Sequence, residues 1–159
     1  MKFQDFTHIT FDCYGTLIDW ETGILKALRS IFHNHAISPD DKDIIRAYAR
    51  LEAEQEQGTY KPYRYILREV MKRIGTEFDF TPALEELDIL ANSISKWPPY
   101  ADTTETLTRL KKRYKLVILS NIDNYMIAGT VKLLKVEFDD VITSQQIGSY
   151  KPSKYNFEF

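Results

Sequence analysis

Cysteine is almost absent. With only Cys13 among 159 residues, no internal disulfide can form, and a reducing, cytoplasmic setting is expected. Long apolar runs are missing too. No window approaches the roughly 20 residues of a membrane span, and the opening MKFQDFTHITFD lacks the apolar stretch of a secretion signal. No charge of one sign prevails either: the formal net charge is −2 with no long basic run, which argues against a nucleic-acid surface. The one basic cluster, Lys111, Lys112 and Arg113, falls at the end of a predicted helix, where cations oppose the negative end of the dipole. Metal-ligand spacing is absent as well. His8, His33 and His35 have no carboxylate or cysteine companions at convincing intervals, and His33 and His35 do not share a helix face. No internal repeat or low-complexity segment occurs.

What is present is the composition of a soluble globular protein, 43% apolar and 28% charged, long enough for one core or a modest core with an inserted subdomain. Three short apolar runs predict buried strands: His8 to Asp12, Lys115 to Ser120 and Asp140 to Ser144. The continuous Leu116, Val117, Ile118 and Leu119 suit a parallel strand covered on both faces. Helices separate the strands. Asp102-Thr103-Thr104-Glu105 has capping-box spacing ahead of Leu107 and Leu110, and a second helix is predicted over 125–134. The order strand–helix–strand implies right-handed crossovers and a parallel sheet.

The interval from Trp20 to Trp97 breaks this rhythm, with four helical patterns and no convincing strand. Ile24, Leu25, Leu28, Ile31 and Phe32 form one apolar stripe. Ile44, Ile45, Tyr48 and Leu51 form a second, stopped by Gly58. Tyr63, Ile66, Leu67, Val70 and Ile74 form a third, which Gly75 should end, and Thr81-Pro82 should start the fourth. So long a stretch exceeds any crossover, so it is expected to be an inserted helical subdomain entered near Leu17–Asp19 and left near Trp97-Pro98-Pro99-Tyr100. Open α/β sheets bind ligands at the carboxyl ends of their strands, so this insertion can cover a site.

Polar clusters follow all three strands: Asp12-Cys13-Tyr14-Gly15-Thr16, Ser120-Asn121 and Lys151-Pro152. In a parallel sheet these loops emerge on one edge. A carboxylate there can attack carbon, small polar groups can hold a substrate, and an ammonium can keep the carboxylate ionised. Spacing alone leaves a plainer reading open. Asp12 can cap a turn, Ser120 and Asn121 can cap the next helix, and Lys151 can be a solvated surface residue. Gly15 needs nothing beyond a tight turn. Cys13 lacks the arginine six residues later that a cysteine phosphatase loop requires, position 19 being Asp, so buried packing is expected for it.

Phe11-Asp12-Cys13-Tyr14-Gly15-Thr16-Leu17 resembles the first motif of the haloacid dehalogenase superfamily, Leu119-Ser120-Asn121 its second, and Tyr150-Lys151-Pro152 its third. All three occur in order, and the helical interval resembles the family's cap. The resemblance implies a Rossmann-like parallel sheet over residues 1–19 and 99–159, with a helical cap over 20–98. Tyr14 stands where the superfamily's phosphatases carry a second Asp beside magnesium, and a phenol with a pKa near 10 is a poor replacement. The Asp-x-Tyr-Gly-Thr pattern instead resembles the L-2-haloacid dehalogenases and the similar azetidine-2-carboxylate hydrolases, which use no metal or other cofactor.

The resemblance implies that Asp12 attacks the carbon next to a carboxylate, expels halide or opens a strained ring, and forms an ester that water then cleaves. It further implies that Lys151 orients Asp12, that Ser120, Asn121 and the backbone near Tyr14 bind the substrate carboxylate, and that Thr16 supports the loop. Arg50, with Arg46 close behind, is the expected cap cation for the leaving group or substrate. One departure is Phe157, where haloacid dehalogenases commonly carry Tyr six residues after the motif lysine. The family's fourth motif, an acidic loop after a further strand, lies beyond Lys151, whereas this sequence stops at Phe159. A truncated chain with an open strand edge is therefore expected, prone to association (a homodimer included) and poorly active or inactive. The competing expectations are a metal-independent hydrolase of small carboxylates, a magnesium-dependent phosphatase, and a non-catalytic fragment.

Overall fold

The computed structural model describes residues 5–158. Three parallel strands, β1 (His8–Phe11), β2 (Lys115–Ser120) and β3 (Asp140–Thr143), form a sheet in the order β1-β2-β3. The register pairs Phe11 with Ile118 and Ser120 with Thr143, so all three carboxyl ends lie along one edge. β2 is central, and its Leu116 and Ile118 are fully buried, which is why that run is continuously apolar.

Between β1 and β2 lie α1 (Trp20–Asn34), α2 (Asp41–Gln55), α3 (Tyr63–Glu77) and the short α4 (Ile89–Ser93), flanked by single 3₁₀ turns at Glu86–Asp88 and Ile94–Lys96. Helices α5 (Thr103–Lys111), α6 (Asn124–Leu134), α7 (Ser144–Ile147) and α8 (Tyr155–Glu158) belong to the sheet's surroundings. The apolar stripes of the first three helices face inward: Ile24, Leu28, Ile44, Tyr48, Ile66 and Ile74 are all essentially inaccessible. The two segments that enter and leave the helical interval run side by side. Ile18 bridges Pro99, Asp19 N donates to Pro98 O at 2.8 Å, and Tyr100 N donates to Leu17 O at 3.2 Å. Among the described residues no helix is long and apolar enough to cross a membrane.

Three local expectations are corrected. Gly75 does not end α3, which runs on to Glu77. Its missing side chain instead admits the returning chain, because a Cβ there would lie 2.5 Å from Pro82 Cδ and 2.6 Å from Phe80 O. Thr81-Pro82 starts no helix: it belongs to that returning segment, and regular structure resumes only at Glu86. No capping box forms at Asp102, whose backbone is already helical (φ −94°, ψ −9°) and whose side chain makes no capping bond. The Thr103 hydroxyl is drawn away to the Leu17 carbonyl at 3.0 Å, tying α5 to the loop after β1.

Candidate active site

The loop after β1 turns tightly at Gly15 (φ +95°), where Gly15 N donates to Ile18 O at 2.9 Å and Leu17 N to Cys13 O at 2.8 Å. This turn brings Thr16 back onto Asp12, with Thr16 Oγ1 donating to Asp12 Oδ2 at 3.2 Å. Lys151 Nζ donates to the other oxygen, Asp12 Oδ1, at 2.6 Å and to the Leu119 carbonyl at 2.8 Å. Asn121 fixes the lysine from below: its Oδ1 accepts from Lys151 N at 2.8 Å and its Nδ2 donates to Lys151 O at 3.2 Å. Three loops from three strands are thus joined by hydrogen bonds around one carboxylate.

Above this carboxylate lies a cavity of about 310 Å³. Asp12, Tyr14, Ser120, Asn121 and Lys151 form the wall from the sheet. Trp20, Tyr48, Ala49, Glu52, Glu56, Tyr63 and Trp97 line it from the helical interval. The Tyr14 ring meets Trp97 edge-on at 5.7 Å, and its hydroxyl bonds Thr130 Oγ1 at 2.9 Å.

Arg50 is not brought to the cavity. It is half exposed and paired with Glu54 and Glu77, while Arg46 lies at the surface beside Asp43. The reason is helical phase: Ala49 faces the cavity, and one residue further the side chain has turned about 100° away. Among the lining residues Lys151 is the sole cation. Phe157 is largely exposed and lies beside Thr10, Phe11 and Lys151.

Carboxyls occupy the helical wall instead. Glu52 accepts from Tyr48 OH at 3.0 Å and from Tyr63 OH, and burial raises its pKa. Glu56 Oε2 accepts from Asn121 Nδ2 at 3.1 Å. Burial, then the neighbouring Glu52, push the Glu56 pKa up to about 8 against the opposing pull of Asn121 and Lys151. Cys13 is fully buried, and burial followed by the Asp12 charge raises its thiol to about 12, so it is packing and not a nucleophile. Burial also raises the Tyr14 phenol, which stays neutral.

A magnesium ion in such a site is usually held by one or two carboxylates together with waters and substrate oxygens. Position 14 offers a neutral phenol turned to Thr130, and the Lys151 ammonium already occupies Asp12 Oδ1. These donors do not fit the metal.

Comparison with known proteins supplies the family. Residues 6–159 match the sequence pattern of the haloacid dehalogenase-like hydrolases. The chain belongs to that family. It is 25% identical over 157 residues to (S)-2-haloacid dehalogenase 1 of Pseudomonas sp. (strain CBS-3), covering 94% of this chain and 66% of that protein. Its structure resembles a defluorinating L-2-haloacid dehalogenase (TM-score 0.84, 23% identity, 96% of this chain and 66% of the other). It also resembles the L-2-haloacid dehalogenase of Xanthobacter autotrophicus (TM-score 0.82, 22% identity, 96% and 62%). The chain therefore spans just under two thirds of the length of these relatives.

The motif residues of this haloacid dehalogenase-like chain, Asp12, Tyr14, Thr16, Ser120, Asn121 and Lys151, all come together, and the cap arginine does not. Sequence reasoning missed Glu52 and Glu56. Their signal was present: Glu52 follows Tyr48 by four on the face of α2 that the apolar stripe marks as inward, and Glu56, the C-cap residue, follows by four more.

Proposed function

We propose that this protein hydrolyses a small carboxylic acid by displacement at the carbon next to the carboxylate, expelling halide or opening a strained ring. The observation that carries the reading is the Asp12 carboxylate held between Lys151 Nζ at 2.6 Å and Thr16 Oγ1 at 3.2 Å on the wall of a cavity open to solvent. Such a carboxylate is fixed in direction and charge-compensated, the two requirements of an oxygen nucleophile aimed at carbon. One Asp12 oxygen bonds to the substrate carbon as the leaving group departs. Water then adds to the Asp12 carbonyl and releases a 2-hydroxy acid. Ser120, the backbone amide of Asn121 (whose side chain is taken up by Lys151 and Glu56) and the loop amides near Tyr14 receive the substrate carboxylate, Thr16 holds the nucleophile loop, and no step calls on a metal. Residues 20–98 act as the cap that closes the site from water. Solved relatives include the Xanthobacter autotrophicus dehalogenase with chloropropionic acid covalently bound, which supports a covalent route.

A single turnover in oxygen-18 water tests this with the protein expressed from its complete reading frame. The label should enter Asp12 before it enters product, and Asp12→Asn should abolish turnover. Label appearing first in the product would refute the ester. Lys151→Met should slow ester formation by about 100-fold or more, the scale on which loss of a charge-bearing hydrogen bond at a reacting centre is felt.

A further inference from the structure

Trp97 lines two cavities. One is the space above Asp12; the other is a groove of about 330 Å³ between α1 and α4. The groove follows from the residues that face it. Gly23 and Ala27 lie one turn apart on α1, and their small side leaves room beside the Trp97 ring, which packs where a Gly23 Cβ would lie at 2.2 Å. Opposite them Ile89, Asn92 and Lys96 recur at intervals of three and four, so they share one face of α4 and the turn that follows it.

The charge of this groove is of one sign. Lys26 lines it from α1 and Lys96 from the returning chain, and no carboxylate lines it. Each arginine of the helical interval is paired with an Asp or Glu, whereas among the described residues Lys26 and Lys96 have no such partner. The hydroxyls nearby are already engaged. Thr22 donates to Asp19 Oδ2 at 2.7 Å, and Ser93 Oγ donates to the Leu90 carbonyl at 2.7 Å while accepting from Trp97 Nε1 at 2.9 Å. That leaves two ammoniums and the Asn92 amide around a floor of Ala27, Ile89 and Trp97.

We propose that this groove is a binding site for an amphipathic anion, a single carboxylate or phosphate head on a hydrocarbon body. The body lies against Ala27, Ile89 and Trp97, and the head is met by Lys26 and Lys96 with the Asn92 amide as a further donor. Both lysines are exposed, so each ion pair contributes modestly and burial of the hydrocarbon supplies most of the affinity. Ammoniums are point charges without the planar fork of arginine, so they hold either head. The volume lies at the lower end of ligand pockets, roughly 300–1,000 Å³, and suits a single chain better than a nucleotide. The site is separate from the chemistry at Asp12 and stands whether or not the displacement reading does.

Calorimetric titration of the protein from its complete reading frame tests this with four probes. Decanoate or decyl phosphate should bind saturably with a Kd below about 1 mM, and binding should weaken as salt rises. The tighter of the two names the head. Decanol, which lacks the charge, and glutarate, which lacks the apolar body, should both bind at least threefold more weakly. The double variant Lys26→Glu, Lys96→Glu should lose about tenfold in affinity for the anion and bind decyltrimethylammonium more tightly than the parent does. Circular dichroism verifies that the variant keeps its helices. No saturable binding of either anion, decanol or glutarate matching them, or a variant within threefold of the parent would each overturn the proposal. So would a parent dimer, seen by sedimentation without ligand, that the variant dissolves, because a second copy of the chain would then be the occupant.

Discussion

Glu56 and Cys13 both have their pKa raised by burial, and the consequences differ because their ordinary values differ. The thiol, moved to about 12, stays protonated at every physiological pH and is chemically silent. The carboxyl, moved from 4.5 to about 8, titrates in the working range. Its folded pKa lies above its unfolded one, so the native state binds the proton more tightly. The stabilisation is complete below about pH 4.5 and is lost as pH rises through about 8. Urea denaturation at a series of pH values should show the parent losing stability across that window relative to Glu56→Gln. One proton corresponds to about 1.4 kcal/mol per pH unit. Parallel stability profiles would show that Glu56 is ordinarily ionised in the fold. At this scale Asp12, Ser120 and Asn121 were legible because they stand at or just beyond the carboxyl ends of β1 and β2, whereas Lys151 lies beyond α7 and was marked by the motif it resembles. Arg50 was misplaced because an error of one residue on a helix turns a side chain by about 100°.

Among the elements, α3 shows how the helical interval is fastened to the sheet. Its N-cap residue is Pro62, which makes no side-chain capping bond. The cap comes from Asp123, in the loop after β2, whose two carboxylate oxygens accept from Tyr63 N at 2.9 Å and Arg64 N at 3.0 Å. Tyr150 adds a second fastening, its hydroxyl donating to the Lys61 carbonyl at 2.7 Å. Asp123 is 2% exposed, so its removal strands buried donors as well as uncapping a helix. Asp123→Ala should lower stability by about 2 kcal/mol or more and speed amide exchange selectively at Tyr63 and Arg64. A change below about 0.5 kcal/mol would show that α3 is held otherwise. This cap was illegible in the sequence because its partners lie about 60 positions apart. Gly75 misled for a related reason: a glycine near a helix end reads as a terminator, yet here it makes room for Pro82 across the helix. The long stripes of α1 and α2 were legible because burial follows their period directly.

Across the whole molecule, the helical interval and the sheet share one apolar interior. A single cluster of buried side chains runs from Leu116 and Ile118 of β2 through Ile18, Ile24 and Trp97 to Ile66 and Ile74. Trp97 is wedged against Gly23 of α1, where a Cβ would lie 2.2 Å from its ring, so α1 and the returning connection cannot separate without opening this interior. Trp20 and Trp97 both face the cavity between the two parts, so their emission reports on that junction while far-UV circular dichroism reports on the helices. A shared core makes the two signals fall together in one cooperative transition. Gly23→Ala should move both midpoints down together, by about 1–3 kcal/mol of overpacking, and keep them coincident. Tryptophan emission changing at clearly lower denaturant than circular dichroism would mean that the helical interval detaches first. The cavity would then open by local release of the cap while the helices remain formed.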